Sequence, residues 1–324
     1  MSRFPAAAFA ASPLGFGAAA LGNLYEPLPD DAADSAVAAA IAAGVRCFDV
    51  APLYGSGLAE ERLGAALGTA LRTPAVTIST KVGRLLRPRR DGDAIDPTFA
   101  AAPARTAVPD FSRDGVRRSL EGSLRRLGVE RVDVVYLHDP EPHWRSAVDE
   151  ALPALCELRD EGLLRAIGVG TNVAATPARL FAEAEVDCVL LAGQYTLLEH
   201  ADGLAALDAA AARGVAVVAA GVFNSGILAA PGDDARFGYA PAPAGVLARA
   251  RRIAAICAEH GVALPAAALR LPLAHPAVAG VLVGMRSATE VRADVAHLAA
   301  PIPAGLWQQL RAEELLDARL PLPA

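Results

Sequence analysis

The sequence predicts an α/β protein built as a closed (β/α)8 TIM barrel, and three observations carry that expectation. Eight short apolar runs alternate with longer Ala/Leu/Arg segments of helical period, no composition break interrupts the 324 residues, and three of the runs deliver an ionisable group at their carboxyl ends. Alternation of this kind is the pattern of βα units in a parallel sheet. Open doubly wound sheets normally stop at five or six strands, whereas α/β barrels of this length form one domain, so residues 1–324 read as a single barrel.

In chain order, the run LGFGAAAL at 14–21 precedes a helix expected over 31–43, and VRCFD at 45–49 leads into a helix over 58–71. AVTIST at 75–80 is followed by a long insertion, 84–111, before a helix over 112–127, and VDVVYL at 132–137 precedes one over 146–161. AIGVG (166–170) and DCVLLA (187–192) pair with helices over 176–184 and 201–212. VAVVAA (215–220) is followed by a Gly/Pro-rich loop, 221–244, and a helix over 245–260; VAGVLVG (278–284) leads to a helix over 287–299 and a helical tail near 303–318. Several helices open on Asp, Ser or Thr and close before Gly44, Gly128, Gly162, Gly214 or Gly261, the expected cap chemistry. The insertions at 84–111 and 221–244 follow the third and seventh strands, on the face where barrel sites are built. They are candidate lids or substrate walls, or else disordered surface insertions.

Composition excludes several function classes. Apolar residues make up 53%, enough for a large core, while a net charge of -6 and scattered arginines argue against a nucleic-acid surface. Cys47, Cys156, Cys188 and Cys257 lie far apart in apolar contexts, without metal-ligand spacing, and read as buried thiols in a reducing compartment. Pro5 and Pro13 break the apolar opening, which therefore does not read as a signal peptide, and no run of 18 apolar residues suits a membrane span. A cytoplasmic protein acting on a small molecule is expected, with no membrane or nucleic-acid partner.

The organising stretch is VRCFDVAPLYGSGLAEERLG at 45–64, read with Lys81, the single lysine among 30 basic residues. Asp49 ends the second run, Tyr54 sits in the loop after it, Lys81 ends the third and His138 the fourth. In a barrel these ends converge. A phenol is too weak an acid to exchange protons well at neutral pH, and an ammonium beside it stabilises the phenolate. Lys81 suits that task, Asp49 would hold Lys81 charged and aimed, and His138 would orient a substrate oxygen. Each has a plainer reading as a strand-end cap or rim side chain; the four together favour the functional one.

These residues sit in segments that resemble the aldo-keto reductase superfamily over nearly the whole chain: FDVAPLYGSGLAEERLG around Asp49 and Tyr54, TKVG at Lys81 and VYLHDP at His138. The resemblance implies a (β/α)8 barrel that uses NAD or NADP without a metal. It makes Tyr54 the general acid/base, tuned by Lys81 and Asp49, with His138 orienting the carbonyl. PDFSRDGVRRSLEGSLRRLG, LLAGQYTLLE, GVFNSGIL and VLVGMRSATEV are similar to the bacterial branch containing L-fucose or D-threo-aldose 1-dehydrogenases and pyridoxal 4-dehydrogenases. That branch implies oxidation of an aldose at C1 to a lactone.

For the cofactor, Asn172 and Gln194 resemble the residues that contact the nicotinamide amide. Phe223 stands in for a stacking tyrosine, in a loop with Ser225 and Gly226, while Gly284, Arg286, Ser287 and Glu290 match the segment that holds the adenosine phosphate end and Asp294 stands where the family often has Asn. Read without cofactor, Arg286 to Asp294 is a capped last-repeat helix. Other readings are a pyridoxal dehydrogenase, a general aldehyde or ketone reductase, and a nicotinamide-sensing module like potassium-channel β subunits. A Rossmann reading of GFGAAA at 15–20 is weaker, because NLYEPLP interrupts the required helix and Asp49 lies too far on. An aromatic wall would favour pyridoxal and several hydroxyl partners a sugar, with His143, Trp144 and the 84–111 loop eligible for either.

Overall fold

The computed structural model describes residues 3–68, 70 and 76–323. Eight parallel strands close a barrel: β1 (Leu14–Gly17), β2 (Cys47–Asp49), β3 (Thr77–Val82), β4 (Val134–His138), β5 (Ala166–Thr171), β6 (Cys188–Ala192), β7 (Ala216–Ala220) and β8 (Val278–Gly284). Each pairs with the next, and β8 returns to β1 from Leu14 opposite Val281 to Gly17 opposite Gly284. All eight expected runs are strands. The first is shorter than its apolar run, because the chain leaves the sheet at Gly17 and turns through Ala18–Gly22.

Side chains alternate along each strand with period two, and that alternation places the site. The barrel interior holds Cys47, Val134, Tyr136, Ala166, Cys188, Leu190, Val218 and Leu282, with Phe4 and Phe9 of the N-terminal segment packed against them. Two residues beyond Cys47 and Tyr136, on the same inward face, come Asp49 and His138. The register puts Asp49 opposite Ser79 and Lys81 opposite Tyr136, so the packed layers end in a polar one.

Helices over Asp30–Ala42, Leu58–Leu67, Arg113–Leu127, Leu152–Asp160, Thr176–Glu183, Ala201–Arg213, Ala244–Glu259 and Ala288–Ala299 surround the barrel, and Ala304–Ala312 forms the tail. The expected end of the second helix lies partly outside the described residues. Ser112 and Ser287 cap their helices through the side chain, each accepting a backbone N–H. An additional helix, Leu264–Arg270, precedes β8; its LPAAALR offers too short a period to be read from sequence. Cys156 is exposed, unlike the other three cysteines, since it lies on the outer face of its helix.

One ionic contact fixes the outer wall beside the site. Glu60, fully buried, accepts from Thr80 Oγ1 at 2.9 Å and from Arg126 Nε at 2.6 Å, tying two helices to the strand that carries Lys81. Among the described residues no single helix is long and apolar enough to cross a membrane.

Candidate active site

Gly55 shapes the loop that presents Tyr54. It has φ 59°, and a Cβ there would lie 2.4 Å from the Gly22 carbonyl oxygen, so only glycine lets this turn sit against the turn after β1. Tyr54 is thereby held over the end of β3.

The four residues meet. Lys81 Nζ donates to Asp49 Oδ2 at 2.5 Å, to the Val50 carbonyl at 3.1 Å and to Tyr54 Oη at 3.1 Å. Ser79 Oγ donates to the other Asp49 oxygen at 2.7 Å. The His138 ring meets the Tyr54 ring edge-on, with centroids 5.9 Å apart. Lys81 is 2% exposed and Asp49 4%, so the ion pair is dry and its members need one another.

Burial opposes the charge on Lys81, but Asp49 and Tyr54 outweigh it and hold the ammonium above its ordinary pKa. Burial, then the charges of Lys81 and Arg84, pushes His138 well below its usual value, so a neutral imidazole is available to donate one hydrogen bond. Tyr54 corrects an expectation. The Lys81 charge does pull the phenol down, yet burial pushes harder and the carboxylates of Asp49 and Asp139 add to it, leaving Tyr54 above 10.0. The phenol is therefore protonated at neutral pH. Lys81 limits the rise instead of producing an acidic tyrosine.

Around these groups the loops form a wall. The 84–111 segment is an ordered hairpin, Arg84–Pro88 against Arg105–Pro109, braced by Arg87 and Asp93 at 2.7 Å. Its connection delivers Phe99 to 6.0 Å from the Tyr54 ring and is fastened to the loop after β1, where Tyr25 N donates to the Thr98 carbonyl. After β7, Arg236–Phe237 and Ala240–Pro241 make a smaller hairpin, and the Arg236 guanidinium covers Tyr25 at 4.8 Å. Three loops thus touch in series above Tyr54. Trp144 takes no part in this wall: it is buried, donates to Glu183 and carries Arg179 over its ring at 4.1 Å. His143 is exposed and stacks on Phe111.

The expected cofactor residues lie after β5 to β8, across the barrel mouth from the strands that supply Asp49, Lys81 and His138. Asn172 is exposed just after β5, and Gln194 is half-buried after β6. Phe223 is half-buried against the core, and the next three residues, Asn224, Ser225 and Gly226, all have positive φ, with Ser225 Oγ accepting from Tyr239 N. Asn224, absent from the sequence expectations, is buried; its Nδ2 donates to the Gly193 carbonyl at 3.2 Å while its Oδ1 has no partner. A buried orphan acceptor beside Gln194 fits an amide-bearing ligand, and backbone strain concentrated in one turn is a mark of binding sites. Gly284 is exposed at the end of β8. Ser287 caps the helix that follows β8, Glu290 accepts from Arg286 N at 2.7 Å, and the Arg286 guanidinium pairs with Glu26. Asp294 is buried and raised to about 7, first by burial and then by Glu290.

The aldo/keto reductase family model matches residues 13–313. The chain belongs to that family. It is 44% identical to a D-threo-aldose 1-dehydrogenase of Pseudomonas sp over 322 residues, covering 97% of this chain and 96% of that protein. It is 40% identical to a pyridoxal 4-dehydrogenase of Microbacterium luteolum, covering 94% of each. A glycerol dehydrogenase from Gluconobacter oxydans shares the fold at a TM-score of 0.72 and 22% identity, over 97% of this chain and 94% of that one. This family member is a nicotinamide-dependent oxidoreductase with a small-molecule substrate.

Proposed function

We propose that this aldo/keto reductase is a cytoplasmic aldose 1-dehydrogenase, oxidising a sugar such as L-fucose or another D-threo-aldose at C1 to its lactone. The observation that carries the reading is the Tyr54 hydroxyl resting on the buried Lys81–Asp49 pair beside a neutral His138. The nicotinamide supplies the hydride acceptor. Residues Asn172, Gln194, Phe223, Asn224, Ser225 and Gly226 would hold its amide end, and Gly284, Arg286, Ser287, Glu290 and Asp294 its adenosine end.

In oxidation the C1–H bond breaks with its electron pair leaving as hydride, the anomeric O–H proton passes to the Tyr54 phenolate, and C1=O forms. His138 donates to the developing carbonyl oxygen and fixes its direction, while Lys81 offsets the charge on the phenolate. The 44% identical aldose dehydrogenase favours a sugar over pyridoxal, while the Phe99 ring 6.0 Å from the Tyr54 ring is the feature a pyridoxal would use. A panel of L-fucose, D-arabinose, L-galactose and pyridoxal, followed at the absorbance of the reduced cofactor, should show oxidation of at least one aldose. Activity with pyridoxal alone would reject the sugar assignment.

NAD is the favoured cofactor, because the guanidinium eligible to meet a 2'-phosphate, Arg286, is already ion-paired with Glu26. Glu26→Gln frees that cation. The substitution is expected to raise kcat/KM with NADP about fivefold relative to NAD, the scale of an exposed ion pair. An unchanged ratio in steady-state kinetics would separate Arg286 from cofactor choice.

A further inference from the structure

We propose that Asp139 binds the hydroxyl on the carbon next to the reacting one and so selects hydroxylated substrates. The inference rests on the aldose reading above and adds the residue that recognises the sugar.

Asp139 directly follows His138, with φ 46°, a left-handed conformation that costs a non-glycine residue about 1 kcal/mol and is concentrated at functional sites. Its backbone is pinned there, the N–H donating to the Gly170 carbonyl at 2.9 Å. The conformation puts the carboxylate at the mouth of the site, 32% exposed, with Oδ2 3.7 Å from His138 Nε2, too far for a hydrogen bond. Among the described residues no donor satisfies that carboxylate. The His138 ring nitrogen beside Oδ2 belongs to the ring that meets Tyr54 edge-on, so the carboxylate adjoins the cluster that holds the reacting phenol.

The neighbouring acid is differently employed. Glu141 accepts from the hydroxyls of both Thr171 and Thr176, which fixes the loop and occupies one of its oxygens. Asp139 is thus the carboxylate left with open acceptor sites beside Tyr54 and His138. A substrate oxygen held between those two places its own carbon, and the next one along, against this group. A hydroxyl on that next carbon is the donor the carboxylate lacks. An analogue without it leaves a half-buried charge unpaired, and sites built this way discriminate strongly.

The test compares the best aldose of the panel with its 2-deoxy counterpart, in the wild type and in Asp139→Gly and Asp139→Asn. Glycine removes the acceptor and suits the left-handed backbone, so the variant should melt no lower than wild type and keep its cofactor affinity. Expected is a loss in kcat/KM for the aldose of about 100-fold, mostly in KM, with the 2-deoxy sugar changed less than threefold, so that the preference disappears. Asn, which retains an acceptor oxygen and tolerates positive φ, should recover part of it. Equal losses on both sugars would mean that Asp139 acts through Tyr54 or the fold and overturn the proposal, as would an unchanged preference. In either case wild-type aldose oxidation leaves the function standing. A wild type that oxidises no aldose removes both.

Discussion

Tyr54→Phe is expected to lower kcat by about 10²- to 10⁴-fold while cofactor binding, read by quenching of intrinsic fluorescence, stays unchanged. The substitution removes one oxygen. The ring keeps its contacts with Phe99 and His138, and Lys81 keeps its bonds to Asp49 and Val50, so the loss reports proton transfer and not collapse of the site. The pH profile sharpens the test. With burial holding the phenol above 10.0, the phenolate that accepts the proton in oxidation is scarce at neutral pH and grows up to tenfold with each pH unit below that value. Oxidation should therefore climb from neutral into alkaline pH without a plateau below 10.0, while reduction of an aldehyde, which needs the protonated phenol, stays level and falls only above it. In Tyr54→Phe the residual rate should lose this dependence. Undiminished turnover in the variant would remove Tyr54 from the proton path, and an oxidation plateau near neutral pH would show that the Lys81 charge outweighs burial at the phenol.

The barrel and the four central residues were legible because each rests on one-dimensional signals. An apolar run, its length and the polar residue that ends it suffice to place Asp49, Lys81 and His138 on one rim, since period two fixes which residues face inward. The surroundings depend on loops meeting loops. Phe99 reaches Tyr54 because the 84–111 hairpin folds back onto the segment after β1, a path that Arg, Pro and Asp do not encode as a period. Trp144 reads as a wall residue in VYLHDPEPHW, yet a helical turn carries it into a packed pocket under Arg179. Asn224 and Asp139 are visible only through backbone angles and missing partners. The net direction of the Tyr54 shift is a contest between desolvation and one nearby ammonium, and sequence supplies only the ammonium.

Lys81→Met should be the more damaging of the two substitutions at the centre, because it removes a charge that both the fold and the chemistry use. Asp49 would keep Ser79 as a donor but lose its counterion in a site that is 4% exposed, a change that typically destabilises by about 3–5 kcal/mol. Turnover should fall at least as far as in Tyr54→Phe, since nothing then offsets a phenolate. Arginine is not a substitute: its planar fork has no room where Lys81 is 2% exposed and must reach Asp49, Val50 and Tyr54 from one atom. The second substitution Asp49→Asn separates the two losses. In Lys81→Met/Asp49→Asn the carboxamide oxygen still accepts from Ser79 without needing a cation, so chemical denaturation should recover most of the stability while the turnover defect persists. A single variant as stable as wild type would show that the ion pair contributes little to the fold, and a double variant that recovers turnover along with stability would show that Lys81 serves the fold alone.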